Sequence, residues 1–370
     1  MSAVLHTDCM QDAPPTLAAA LAAIASGRLD RAALIEACLA RIASLDGDLH
    51  AFAHPDPAGA RRAAAHSSGP LAGIPYAVKD TFDAAGLPCT ANSRLRAGRV
   101  ATRDAAIVTA LRGAGAVLLG KLATWEYGTG TGAEHFDLPS PPARNPWNPA
   151  RFTGGSSTGA GVAVATGMVL LAIGSDTTGS VRLPAAATGC CGVLLAPGAL
   201  PMEGALPNTY SLDRPGPITG TAEDAAIVLD TLRGTSLRAA ASAGARGLRV
   251  GVIRDPGPGF PLPDAELAAG IEAGLDVLSR LGARVTEARL PWPAATCLDA
   301  ARLIGAAESA SIHEAELRDR PQEMGAALRD KLLAGAGVRA VDYLAAQRFR
   351  RAFTEAMDAA FADHDVILSP

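Results

Sequence analysis

Residues 154–180 read GGSSTGAGVAVATGMVLLAIGSDTTGS, and no other stretch constrains the fold as tightly. Two knots of glycine and small hydroxyl residues flank a run that is almost wholly apolar. Apolar side chains leave water, while glycine allows close backbone approach and unusual turns. The chain must therefore bury the run and hold a tight polar turn at each end of it. The strongly apolar part, Gly161 to Gly174, is too short for the roughly 20 residues of a membrane-spanning helix. Within it, GMVLLAIGSD is bounded by glycine and fits a buried strand or a buried helix equally well.

The surrounding pattern argues for an α/β chain. Residues 15–46 read as two helices, with Pro15 suited to a first turn and Gly27 to a stop. In the second, Leu34, Ile35, Cys38, Leu39 and Ile42 share one face, and Arg31, Glu36 and Arg41 take the other. From Gly69 the texture changes. GIPYAVKD reads as a short strand ending in charge, DAAIVTALRGAG as an amphipathic helix and AVLLGK as a buried strand. Residues 233–246 read as a surface connection. LRVGVIRD, DAELAAGIEAGLDVLSRLG and ARVTEARL then form a second strand–helix–strand unit, and residues 298–362 are mostly helical. HDVILSP reads as a strand that begins where the chain ends. No internal repeat is visible.

A chain of 370 residues with 49% hydrophobic content can bury a sizeable core, and length alone suggests two or three domains. A net charge of -4, with no basic tract, points away from nucleic acid and from a membrane surface. The apolar N-terminal LAAALAAIA follows Asp8 and Asp12 rather than Lys or Arg, which is the wrong charge order for a signal peptide, so the expected location is cytoplasmic. Cys9, Cys38, Cys89, Cys190, Cys191 and Cys297 form no CxxC pair, and no HExxH occurs. They read as buried or free thiols in a reducing compartment, with no metal site.

Two familiar motifs are present in letters only. Gly115-x4-Gly120-Lys121 starts like a phosphate-binding loop, but Leu122 stands where Ser or Thr is needed and the intervening Ala-Val-Leu-Leu belongs in a strand. Gly155-Ser156-Ser157-Thr158-Gly159 fits GxSxG, yet RNPWNPARFTG is no strand to precede a nucleophile elbow. The later histidines, His313 and His364, sit in polar context and read as surface residues.

Three polar points remain: Lys79, Ser156 and Ser180. Lys79 ends the apolar strand IPYAV, where burial would favour its neutral, basic form; the plain alternative is a pair with its neighbour Asp80. GSDTTGS is a turn whose successive backbone N–H groups can converge on one point before Ser180; the plain alternative is an ordinary loop.

Together, GIPYAVKDTFDAAGLPCT, RNPWNPARFTGGSSTGAGVAVATG, LAIGSDTTGSVRLPAAATGCCGV and SLDRPGPITGTAEDAAIVLD resemble the amidase signature family, the serine amidases with a Ser–cis-Ser–Lys triad. The order of the segments and the 24 positions from Ser156 to Ser180 agree with it. The resemblance implies an α/β fold, a mixed central β-sheet with helices on both sides. It implies an N-terminal helical segment (1–67), a signature core (68–232) and a C-terminal α/β part of the same domain (247–370).

It also implies roles. Ser180 would be the nucleophile, Ser156 after a cis peptide from Gly155 the relay, and Lys79 the final base. Thr177, Thr178, Gly179 and Ser180 would supply the oxyanion N–H groups. Asp176 and Arg182 would brace the turn as an ion pair, and Ser157 would be a positioning hydroxyl. The apolar run becomes a largely helical spacer between two serine turns.

The sequence departs from the family at Thr158, at Thr178 and in VLLAP after Gly192. It also stops near HDVILSP, where family members continue, so the expectation is a fold lacking its usual C-terminal portion. The leading reading is an amidohydrolase acting on a small amide through an acyl-enzyme, without cofactor; a homodimer is compatible with the resemblance. The alternatives are the glutamine-hydrolysing subunit of a tRNA-dependent amidotransferase complex and a truncated, inactive scaffold or binding protein. The substrate itself is not legible.

Overall fold

A computed structural model describes residues 16–370; Cys9 and Pro15 lie outside the described residues. The chain forms two compact bodies. One comprises residues up to Arg238 together with Glu308–Leu333; the other comprises Ala239–Ala307 and Ala334–Pro370.

The first body opens with α1 (Leu17–Ala25) and α2 (Arg31–Leu49). Asp30 caps α2 by accepting the Ala33 N–H (2.9 Å), and Leu34, Ile35, Cys38, Leu39 and Ile42 all lie buried on its inner face. β1 (Phe52–Pro55), α3 (Pro57–Ala64), β2 (Pro75–Lys79), α4 (Ala106–Gly113) and β3 (Val117–Leu122) follow. β3 takes Val117 to Lys121 of the stretch that mimics a phosphate loop, fully buried, as its apolar composition requires.

The apolar run then divides. α5 (Thr158–Ala165) uses its first half and β4 (Leu171–Asp176) its second, so the spacer is helix followed by strand rather than largely helix. α5 has no polar face, and residues 158–164 are buried throughout. α6 (Arg182–Thr188), β5 (Cys191–Gly192), β6 (Arg214–Thr219) and α7 (Ala222–Arg233) complete the sequence of elements around the sheet.

The sheet has six strands in the order β1-β3-β2-β4-β6-β5. β3, β2 and β4 run parallel; β1, β6 and β5 pair antiparallel to their neighbours. It is a mixed sheet flanked by helices, and the C-terminal ends of the parallel β2 and β4 carry Lys79 and Asp176. Ligand sites in open α/β sheets gather outside such strand ends.

α8 (Leu237–Ala241) begins the passage to the second body. There β7 (Arg249–Val252) lies between β8 (Arg284–Glu287) and β9 (Val366–Leu368), all parallel. α9 (Ala265–Arg280) packs Leu275 onto Val250 and Val252. α10 (Ala294–Ile312) carries the chain from this body back to the first, where α11 (Glu314–Asp319) and the start of α12 (Ala326–Ala336) lie. α13 (Ala340–Ala360) precedes β9. Among the described residues no helix is long and apolar enough to cross a membrane. The five described cysteines are free, and burial pushes the Cys38 and Cys89 thiols up to about 12.

Candidate active site

Lys79 is fully buried at the end of β2. Its Nζ donates to Ser156 Oγ (2.7 Å), Ser175 Oγ (2.9 Å) and Ser175 O (3.4 Å). These contacts are all uncharged. Asp80, the next residue, is turned to the opposite face, because successive strand residues alternate. There it accepts from Lys121 Nζ (2.9 Å), so the sequence-adjacent Lys79–Asp80 pair does not form. Burial therefore lowers the proton affinity of Lys79 to about 7, while the more distant Asp213 and Asp176 pull it upward.

Ser156 is held by its backbone. The Gly155–Ser156 peptide is cis, and the Ser156 carbonyl accepts the Trp125 N–H (3.1 Å). The Trp125 ring lies against Gly155: a Cβ there would stand 2.4 Å from Trp125 Cζ2. A short 3₁₀ turn, Glu126–Gly128, covers the pair. Gly128 has φ +73°, and a Cβ on it would come within 3.2 Å of Ser156 Oγ and 3.6 Å of Lys79 Nζ. Ser157 is fully buried at the start of α5, and its Oγ donates to the Ser175 carbonyl (3.4 Å).

Ser180 sits in the turn between β4 and α6. That turn is wrapped around one carboxylate. Asp176 Oδ1 accepts the Gly179 N–H (2.7 Å), and Oδ2 accepts those of Val181 (3.1 Å) and Arg182 (3.4 Å). The Arg182 guanidinium closes on both oxygens at 3.1 Å. Burial pushes the Asp176 carboxyl up, but Arg182 and the N–H donors outweigh it and hold it below the usual carboxylate range. The Gly179 N–H is thus already committed, which leaves Thr177, Thr178 and Ser180 of the four expected oxyanion donors. The hydroxyls of Ser156 and Ser180 are not hydrogen-bonded to each other; the two turns are joined through backbone, with Ser157 N–H donating to Ser180 O (3.2 Å). Ser180 is 8% exposed, against 0% for Lys79 and 1% for Ser156, so it is the outermost of the three.

Several contributors escaped the sequence reading. Ser175 stood inside GSDTTGS, but a serine in a turn carries no distinguishing signal. Asn208 donates through Nδ2 to the Gly128 carbonyl (3.2 Å), while its Oδ1 accepts from Ser309 Oγ (3.0 Å) and Lys331 Nζ (2.5 Å). Burial lowers Lys331 to about 8, against the pull of Asp213 and Glu308. His313 is not a surface residue: it is 2% exposed, packed edge-on against Tyr127 (4.4 Å), and burial lowers it to about 4. His364, in the second body, is half-buried. Among the described residues no group of three or more His, Cys, Asp and Glu is placed to hold a metal ion.

A family model described as Amidase matches residues 33–370. The chain is 37% identical to AtzE, the 1-carboxybiuret hydrolase subunit of Pseudomonas sp. (strain ADP), over 94% of this chain and 79% of that protein. It is 35% identical to the glutamyl-tRNA(Gln) amidotransferase A subunit of Anaeromyxobacter sp. (strain K), again over 94% and 79%. Among solved structures, one reported as a vestigial protein complex that reveals the evolutionary origins of an s-triazine catabolic enzyme matches with a TM-score of 0.85 and 32% identity, covering 95% of this chain and 80% of its own.

Proposed function

This chain belongs to the amidase family, whose members are C–N hydrolases acting on amides, and from that premise we propose that it cleaves a small amide through an acyl-enzyme on Ser180, with Ser156 and Lys79 as the proton relay. The observation that carries this reading is the contact of Lys79 Nζ with Ser156 Oγ at 2.7 Å, made by a lysine that burial holds near neutrality. A neutral amine has two N–H donors and one lone pair. When the amine is neutral, Ser175 Oγ and Ser175 O take its two N–H donors, and the contact to Ser156, in which the ammonium donates, reverses so that the Ser156 hydroxyl donates to the lone pair.

The steps follow from that assignment. Ser180 Oγ attacks the amide carbonyl as its proton passes to Ser156 Oγ, whose own proton passes to Lys79 Nζ. Backbone N–H groups of Thr177, Thr178 and Ser180 stand at the turn where the tetrahedral oxyanion develops; a donor of this kind is worth about 10²–10³ in rate. The relay then runs backward and protonates the departing nitrogen, so ammonia or an amine leaves. Water enters by the same relay and hydrolyses the ester. The Ser156–Ser180 hydrogen bond closes in the substrate complex, as catalytic contacts tighten when the ligand is present.

Ser180→Ala tests the assignment. Ammonia or amine release from a panel of amides should vanish while circular dichroism and melting stay at wild-type values; near-normal release in that variant ends the proposal. A second reading, an amidotransferase component that hands ammonia to a partner, is favoured by the likeness to the glutamyl-tRNA(Gln) amidotransferase chain. Glutamine hydrolysis that appears only with copurified partner chains would select it over a free-standing amidase.

A further inference from the structure

Asp213 lies outside every segment given a catalytic role, yet it joins the two walls of the site. β6 pairs antiparallel with β4 so that Arg214 stands opposite Asp176. One step beyond that ladder, Asp213 comes opposite Thr177, the first residue of the Ser180 turn. Thr177 Oγ1 donates to Asp213 Oδ1 (2.6 Å). The other oxygen, Oδ2, accepts the backbone N–H groups of Asn208 (2.8 Å) and Thr209 (2.9 Å). The 209–213 turn is itself closed, with the N–H groups of Leu212 (3.0 Å) and Asp213 (2.8 Å) both donating to Thr209 O. Asp213 is 5% exposed, and three donors fix the position of its two carboxylate oxygens. Burial pushes its carboxyl up, against the pull of those donors and of Lys79.

We propose that Asp213 is a positioning residue of the acyl-transfer site: it fixes the Ser180 turn through Thr177 and presents a negative charge to Lys79. The inference rests on the reading of Lys79 as the terminal base. Its physical content is a balance. A lysine buried among hydroxyls alone would lose its affinity for a proton and could not receive one from Ser156; a carboxylate in direct contact would keep it charged, and it could not act as a base. Asp213, which makes no hydrogen bond to Lys79, supplies the intermediate case.

The other groups around the pair are accounted for. Asp176 also faces Lys79 but is closed by Arg182. Glu126, on the covering turn, is tied to Ser93 Oγ (2.5 Å) and the Gly325 N–H (2.8 Å). Lys331 and Glu308 lie on the Asn208 side, where Glu308 accepts the Ser211 N–H (2.9 Å). His313, lowered to about 4, is neutral above pH 5. Asp80 and Lys121 are paired on the opposite face of β2. Of the two carboxylates that act on Lys79, Asp213 and Asp176, Asp213 is the one whose hydrogen-bond donors are all uncharged.

The test follows the rate of covalent labelling by a fluorophosphonate between pH 5 and 9 in the full chain. Wild type should label at Ser180 with an acid limb near pH 7, and Lys79→Ala should label at least 100-fold more slowly. If either fails, the relay reading fails, whatever Asp213 does. Given that control, Asp213→Asn removes an attraction that stabilises the Lys79 ammonium, so the acid limb should move down by about one pH unit as the rate falls. A merely structural residue would lower the rate and leave the limb in place, and that result overturns the proposal. Thr177→Val keeps the charge and removes the tether: the rate should fall about tenfold with the limb unmoved. A Thr177→Val rate within twofold of wild type also overturns it, and this arm decides the matter if the asparagine variant does not fold.

Discussion

Lys79 at the end of β2 and Lys121 in β3 are both fully buried, on neighbouring strands, yet their ammonium groups meet different partners. Lys121 Nζ donates to Asp80 Oδ1 (2.9 Å) and Pro88 O (3.1 Å), and the second Asp80 oxygen accepts the N–H (3.0 Å) and Oγ1 (2.7 Å) of Thr90. Its charge is matched at contact, and both oxygens of its partner carboxylate accept hydrogen bonds. Among the described residues Lys79 hydrogen-bonds only to Ser156 and Ser175. The same residue type, equally desolvated, is thereby ion-paired at contact in one place and, on the proposed reading, a base in the other. What separates them is that a carboxylate stands at 2.9 Å from Lys121, whereas the hydrogen-bond partners of Lys79 are all uncharged.

Exchanging each lysine for methionine breaks the comparison most directly. Lys79→Met should reduce turnover by roughly 10²–10⁴, the range for removal of a general base, with the fold retained. Lys121→Met leaves Asp80 buried without its counter-charge and should cost about 3–5 kcal/mol of stability. Denaturant melts and amide turnover measured on both variants check it. If Lys121→Met melts like wild type, or Lys79→Met turns over normally, the two lysines have been assigned the wrong way round.

A smaller effect sharpens the same contrast through pH. The folded chain lowers Lys79 from an ordinary 10.5 to about 7. Between those values the unfolded chain holds a proton at this site and the native chain does not, so rising pH favours the native state. Below pH 7 both states are protonated and the dependence vanishes. From pH 7 to 9.5, wild type should gain about 3 kcal/mol relative to Lys79→Met, at roughly 1.4 kcal/mol per pH unit. A stability difference that stays flat across that window would mean that Lys79 keeps its charge when buried.

Much of this arrangement could be read from the residues. The face of α2, the strand ending in Lys79 and the polar turns around the apolar run follow from periodicity and composition, because burial selects those patterns directly. What could not be read depends on contacts across the chain. GMVLLAIGSD fits helix and strand alike, and only its pairing with β2 and β6 decides for β4. Adjacency suggested Asp80 as the partner of Lys79, but alternation along a strand sends them to opposite faces, and Asp80 meets a lysine 41 residues away. His313 sits among polar neighbours and reads as exposed; it is buried because Glu308–Leu333 folds back onto the first body and places its ring against Tyr127. Asp213 and Ser175 carry no local signal, since what sets them apart is which groups they face across the fold.

The smallest expected effect concerns the turn that covers Lys79 and Ser156. Gly128 has φ +73°, where an L side chain costs roughly 1–2 kcal/mol. A methyl group there would stand 3.2 Å from Ser156 Oγ and 3.3 Å from Asn208 Nδ2. Both atoms are hydrogen-bonded, to Lys79 and to the Gly128 carbonyl respectively, so neither yields without loosening a bond of the site. Gly128→Ala should therefore lower stability by about 1–2 kcal/mol and slow turnover about tenfold, by lengthening the Lys79–Ser156 contact. Denaturant melts at a pH where the variant stays fully folded, paired with initial rates at the same pH, separate the two losses. A destabilised variant with an unchanged rate would show that the covering turn restrains the backbone without bearing on the relay.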